Sequence, residues 1–471
     1  MLAHAFGQRY DLPLPLLLFV AGGAVVVLAS FALMMATQAQ ADVAPDTGQV
    51  ADDAAPSRVR PVPAGLSILA LVLFVACGVL GSQEVAENLV PTVFWLVIWI
   101  AVPLSCGVLG DWTRPVNPFA ALAALCDRPG LRRVILGSEE TVAWPSWLGW
   151  WPATVLFFGL ACAELVFNLT ATLPRHTAAG LACYALICAI GGLLFGERWT
   201  QRGEVFSVLF STWGRLGYFR FGAPGRPGFT GGLDTGFEPV PSRVAFVLLL
   251  LISVNFDGLL ATPSWSSLER RTLGLVAQDS ARLEAFRTLS FVGLAVLLTA
   301  VFAAFAFGSQ RAGGRRGSGA LAALTQLLPS LVPIAFGYLL AHNLQYLMVN
   351  SQLLFPLIGN PTGSANWPLH LPYPFNDSYE PNLNVLPSAL TWYLAVAVIV
   401  AVHIVAVVIA HRQLDPGGRS RAGFRRELPW LAAMVGYTML SLWLLAQPLV
   451  QESAPAASVA GLSPVVTRHV G

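Results

Sequence analysis

The feature that most constrains this chain is the recurrence of apolar runs about 20 residues long, each closed by a break rich in Pro, Gly or Arg. A run of that length crosses the hydrocarbon core as a helix. In lipid, only helices and closed barrels satisfy every backbone polar group internally. Ten runs fall at about 12–36, 64–82, 91–110, 148–169, 178–197, 243–262, 285–308, 320–348, 388–411 and 429–450. Of the 471 residues only 11% are charged, against roughly 25% in an average soluble protein. The expectation is an all-α, polytopic integral membrane protein of about ten transmembrane helices, with the lipid bilayer as its main partner.

Arginine sets the orientation. All 27 basic residues are Arg. They crowd the connections 37–63, 111–147, 198–242, 309–319 and 412–428, and are absent from 83–90 and 349–387. The connection 263–284 is the exception, with Arg270, Arg271 and Arg282 offset by Glu269, Asp279 and Glu284. Positive loops stay inside, so both termini are expected outside a bacterial inner (plasma) membrane. The chain then divides into an external N-terminal segment 1–11, a single transmembrane domain 12–450 and an external tail 451–471. Residues 37–63, acidic and Pro-rich, read as a disordered cytoplasmic linker. Residues 198–242 read as a cytoplasmic interfacial segment, opening with an amphipathic helix whose Arg202 and Glu204 face solvent and whose Phe206, Phe210 and Trp213 lie among headgroups. Residues 349–387 read as an external cap loop. Leu2-Ala3-His4 resembles the end of a signal peptide, with Ala3 at the cleavage position.

Several functions are excluded. The net charge of +2 and the lack of a basic patch argue against nucleic acid. Walker, GxGxxG, GxSxG, HExxH and CxxCH motifs are absent. The six Cys form no CxxC and read as small apolar side chains.

Asp257 breaks the otherwise apolar run Val244–Pro263, with Asn255 two residues before it and Gly258 directly after. A carboxylate in hydrocarbon is costly unless it is paired, protonated or facing a wet cavity, and so marks a candidate site. The expected topology places Glu164 in span four and His342, Asn343 and Gln345 in span eight at a similar outer depth. The cap, with His370 and Asp377, and the N-terminal His4 lie on the same side. One external polar pocket is expected, although the sequence leaves the adjacency of spans four, six and eight open. Three readings compete. His342, Asp257 and His4 suit a divalent transition metal that activates water. The same groups suit proton or substrate transfer, with Asn255, Asn343 and Gln345 binding substrate and Asp257 and Glu164 acting in catalysis. A plain hydrogen-bonded helix contact is the third. His403 and His411 lie two turns apart on span nine and read as structural and interfacial, respectively.

Four stretches carry a resemblance: HAFGQRYDLPLP (His4–Pro15), NFDGLLATPSW (Asn255–Trp265), AHNLQYLMVNSQ (Ala341–Gln352) and WYLAVAVIVAVHIVAVVIAHR (Trp392–Arg412). Together they resemble the fenitrothion hydrolase family of polytopic bacterial membrane proteins. The resemblance implies a membrane-bound hydrolase acting on organophosphate triesters, hence on a small lipophilic substrate. In that family the HxFGxRxDLPxP block follows a signal peptide, which would give His4 a free α-amino group beside its imidazole. The rivals are a transporter or proton-coupled membrane component using Asp257 and His342, and a non-catalytic or metal-delivery partner of a respiratory complex.

Overall fold

The computed structural model of the protein describes residues 16–37, 61–221, 228–274, 281–313, 319–414 and 421–446. In chain order the main helices are α1 (Leu16–Thr37), α2 (Pro61–Leu80), α3 (Leu89–Leu109), α4 (Pro118–Cys126), α5 (Pro129–Leu136), α6 (Trp151–Leu165), α7 (Pro174–Phe195) and α8 (Glu197–Arg202). They continue as α9 (Val205–Gly214), α10 (Pro241–Leu260), α11 (Pro263–Leu273), α12 (Ala281–Ala312), α13 (Ala320–Asn350), α14 (Ser388–Leu414) and α15 (Arg421–Ala446). No strand occurs among the described residues. Among the described residues eight helices, α2, α3, α7, α10, α12, α13, α14 and α15, are long and apolar enough to cross a membrane. The chain is thus a multi-pass, all-helical membrane protein. The expected spans 12–36 and 148–169 coincide with α1 and α6, whose described apolar stretches Val20–Ala29 and Trp151–Leu165 are shorter.

The helices sort by how much of each surface is covered. α10 is the hub: 15 of its 20 residues are buried, among α6, α12, α13 and α15. A helix apolar on most sides needs apolar surroundings, protein or lipid, and here protein supplies them. α2 and α12 take the opposite position and turn Leu69, Leu73, Leu80, Leu289 and Val296 outward. In water such a surface would aggregate; against lipid tails it is neutral. α13 meets α14 closely at Gly337, where an added Cβ would lie 2.4 Å from Val402 Cγ2. A side chain at 337 would press on Val402, and the next residue of α14, His403, is buried.

α3 is not a uniform α-helix. Thr92–Ala101 is π-helical, with the Val102 N–H donating to the Val97 carbonyl. Pro91 and Pro103 bracket the segment. Pro103 has no N–H to offer the Trp99 carbonyl, and its ring would crowd that carbonyl in an α ladder. Widening to i→i+5 bonds relieves the conflict, and such insertions recur at functional sites.

Outside the bundle, residues 351–387 dock on the turn between α2 and α3. Ser82 N donates to Thr362 O at 2.7 Å and Leu89 N to Pro361 O at 3.0 Å. The Cys77 thiol donates to Pro361 O at 2.9 Å.

The segment after α7 departs from its expected surface position. α8 and α9 fold back into the bundle, and Val205, Phe206, Leu209, Phe210 and Trp213 are all buried. Glu204, expected on a solvated face, is fully buried. It caps α9 by accepting from Phe206 N and Ser207 N. It also accepts from Asn117 Nδ2 at 2.8 Å, Tyr184 Oη at 2.5 Å and Ser207 Oγ at 2.5 Å. Five donors in place of water make burial of this carboxylate tolerable. Next to it, Arg202 pairs with Glu238 at 3.0 Å, and buried Arg243 stacks over Trp150 at 4.3 Å.

Candidate functional site

Asp257 sits one turn before the end of α10, Glu164 at the last turn of α6, and His342 two turns before the end of α13. α10 packs on both α6 and α13. His342 Nε2 lies 2.7 Å from Asp257 Oδ2, with side chains 11% and 17% exposed. Glu164 Oε2 accepts from the Trp99 indole N–H at 2.6 Å. Trp99 comes from the π segment of α3 and stacks on Phe157 of α6 at 5.5 Å. Glu164, Asp257, Ser253, Asn343, Trp99 and Trp213 help line one cavity of about 40 Å³. A water needs about 10–15 Å³ on this measure, so the space holds two or three waters. A drug-sized ligand needs a pocket several times larger.

The remaining sequence candidates divide. Asn343 lines the cavity, its amide donating to Leu339 O at 3.0 Å. Asn255 does not: residues two apart on a helix point about 200° apart, so it faces away from Asp257's side. Its amide donates to Leu251 O at 2.7 Å and to the Tyr437 hydroxyl, while its Oδ1 is buried without a hydrogen-bond partner. Gln345 is buried but is not among the cavity residues, two positions on from Asn343. Neither His370 nor Asp377 of the cap reaches the cavity. His4 lies outside the described residues.

Several neighbours went unread in the sequence: Trp99, Ser253, Tyr338 and Tyr437. Two carried a readable signal. Ser253 precedes Asp257, and Tyr338 precedes His342, by one helical turn, the spacing that puts side chains on one face. The Tyr338 and His342 rings stack, with centroids 6.2 Å apart and planes 10° from parallel. Gly258 makes room for this pair, since a Cβ there would lie 2.9 Å from the Tyr338 hydroxyl.

A metal does not fit what is described here. Among the described residues no group of three His, Cys, Asp or Glu side chains is placed to hold an ion. Asp257 and His342 supply two donors, already hydrogen-bonded to each other, and the expected third, His4, falls outside the description. The arrangement can hold and pass a proton. A carboxyl group fixes the imidazole, a second carboxyl group lines the same cavity, and an indole orients that second group.

Fold and site together define a polytopic, all-helical membrane protein with a small, partly polar cavity inside an apolar bundle. Compared with known proteins, the chain matches no family model, no curated protein and no solved structure.

Proposed function

We propose that this protein is a proton-coupled membrane component that exchanges protons with the external side through Asp257, His342 and Glu164. The observation that carries the reading is the 2.7 Å Asp257–His342 contact beside a cavity of about 40 Å³ shared with Glu164. Water and protons fit that space. Two carboxylates facing the same few waters repel each other when both are charged, which favours one shared proton between them.

In this reading ten helices cross a bacterial inner membrane, with α1 and α6 completing the eight longer ones. Val27 and Phe31 of α1 and Phe157 and Leu165 of α6 belong to the same buried core as α10. Both termini and the cap lie outside, in keeping with the Arg-free stretches 83–90 and 349–387.

The test uses purified protein in sealed vesicles with a pH-sensitive dye inside. An imposed potential should drive proton entry that Asp257→Asn reduces about tenfold or more. Equal rates in wild type and variant would overturn the reading. The hydrolase implied by resemblance draws on the same pair, since a carboxylate-held imidazole can take a proton from water. It requires the cavity to open severalfold to admit a triester. Turnover of a chromogenic phosphotriester in detergent, lost in Asp257→Asn, would favour the hydrolase.

A further inference from the structure

Resting on that reading, we propose that the external site is one end of a proton relay through the bundle, with His403 as its middle station and the His411–Glu427 pair as its inner end. His403 is 1% exposed. Its Nδ1 lies 2.7 Å from the Ile399 carbonyl, a contact that requires the proton on Nδ1 and leaves Nε2 a bare acceptor. That Nε2 is buried with no hydrogen-bond partner. An unsatisfied acceptor deep in an apolar bundle is costly to keep. The cost has a purpose if Nε2 receives a proton transiently.

The groups around His403 lead toward the external site. Its ring lies 6.4 Å from that of Tyr437 on α15. The Tyr437 hydroxyl meets the Asn255 amide of α10. Tyr338 of α13 lies over Gly258 and stacks on His342, which holds Asp257. Four helices therefore contribute polar groups between Asp257 and His403, in two sets, Asn255 with Tyr437 and Tyr338 with His342 and Asp257, and the relay requires a proton to cross from one set to the other.

The inner half has a different character. His411 Nδ1 lies 2.9 Å from Glu427 Oε1, while Glu427 Oε2 is buried without a partner. The two border a space of about 10 Å³, shared with Val407 and Met434, too small for more than about one water. Val407 is one turn from both His403 and His411, and Met434 is one turn from Tyr437. These apolar side chains separate the middle station from the inner pair, so the relay is gated and not an open wire.

The chemistry is proton transfer alone. As His403 Nε2 takes the Tyr437 hydroxyl proton, that hydroxyl is re-protonated from the Tyr338 and His342 side. Loss of a proton from the imidazolium toward His411 and Glu427 restores the bare Nε2. One N–H or O–H bond breaks for each that forms, and no electron moves.

The vesicle assay decides it, using full-length His403→Phe, which fills the ring's volume, and His403→Gln, which keeps a polar group that cannot carry the proton. Both should slow proton entry to the Asp257→Asn rate, about tenfold or more below wild type. Wild-type rates in either variant overturn the relay and leave the external site standing. A wild type no faster than Asp257→Asn overturns both. The Gln variant keeps the test open if the Phe variant does not fold.

Discussion

Asp257 is held in place by small features of its neighbours. Gly258 is the smallest of them: a Cβ there would press on the Tyr338 hydroxyl at 2.9 Å. Gly258→Ala should therefore displace Tyr338 from His342, at the overpacking cost of about 1–3 kcal/mol, read as a lower thermal midpoint in detergent. A midpoint equal to wild type would mean that Tyr338 moves aside without penalty. Trp99 offers a sharper probe. Trp99→Phe keeps the apolar bulk but removes the indole N–H from Glu164, whose bond is 2.6 Å long. The lost hydrogen bond is worth about 0.5–1.5 kcal/mol net, and proton entry in vesicles should slow because Glu164 is no longer aimed at the cavity. Unchanged stability and transport in this variant would reduce Trp99 to packing. Asp257 and His342 are 85 positions apart in sequence. The sequence places them only at a similar expected depth and leaves the adjacency of their helices open; the packing of α10 on α13 brings them together. The helical period turns Asn255, two residues from Asp257, away from the cavity, against the expectation that it binds substrate there. Trp99 was not legible in the sequence, because an indole in an apolar run has no signature until its partner is placed.

At the scale of elements, hydropathy carries far in this chain because the bilayer sets helix length. It fails where a polar group is buried by partners from distant segments. Glu204 is the clearest case. The pattern around it reads as an amphipathic surface helix, yet Asn117 and Tyr184, 87 and 20 residues away, close over it. Amphipathic spacing says that one face is covered, not whether protein or lipid covers it. Glu204→Ala should cost on the order of 3 kcal/mol, since it strands several buried donors at once. Tyr184→Phe should cost less, and the double variant should fall short of the sum, because both remove the same bond. Additive losses in a thermal-unfolding cycle would show that the two side chains act separately. The π segment of α3 is a second limit of sequence reading. Pro91 and Pro103 mark where the ladder must be disturbed, but a kink and a π insertion leave the same trace in sequence.

At the scale of the whole molecule, burial and arginine give independent views of how the bundle sits. Outward apolar side chains on α2 and α12 define a lipid-facing girdle, while the arginine-rich connections, 263–284 excepted, alternate with arginine-poor ones along the chain. Cysteine labelling joins the two. Ser364 lies exposed in the cap, and Ser138 lies exposed in the connection between α5 and α6. If positive loops stay inside, a membrane-impermeant maleimide should label Ser364→Cys in intact spheroplasts and Ser138→Cys only after permeabilisation. Cys183 is the one exposed native cysteine among the described residues. It sits midway along α7, where lipid rather than water would meet it. A membrane-impermeant maleimide does not reach a thiol covered by lipid, so the native chain should label weakly in either preparation, and Cys183→Ser should not change the pattern. The reverse order of labelling would turn the protein over, moving the Asp257 cavity to the cytoplasmic side and the His411–Glu427 pair to the external side. Strong labelling of native Cys183 would instead mean that α7 borders water, and the lipid-facing girdle would have to be redrawn without it.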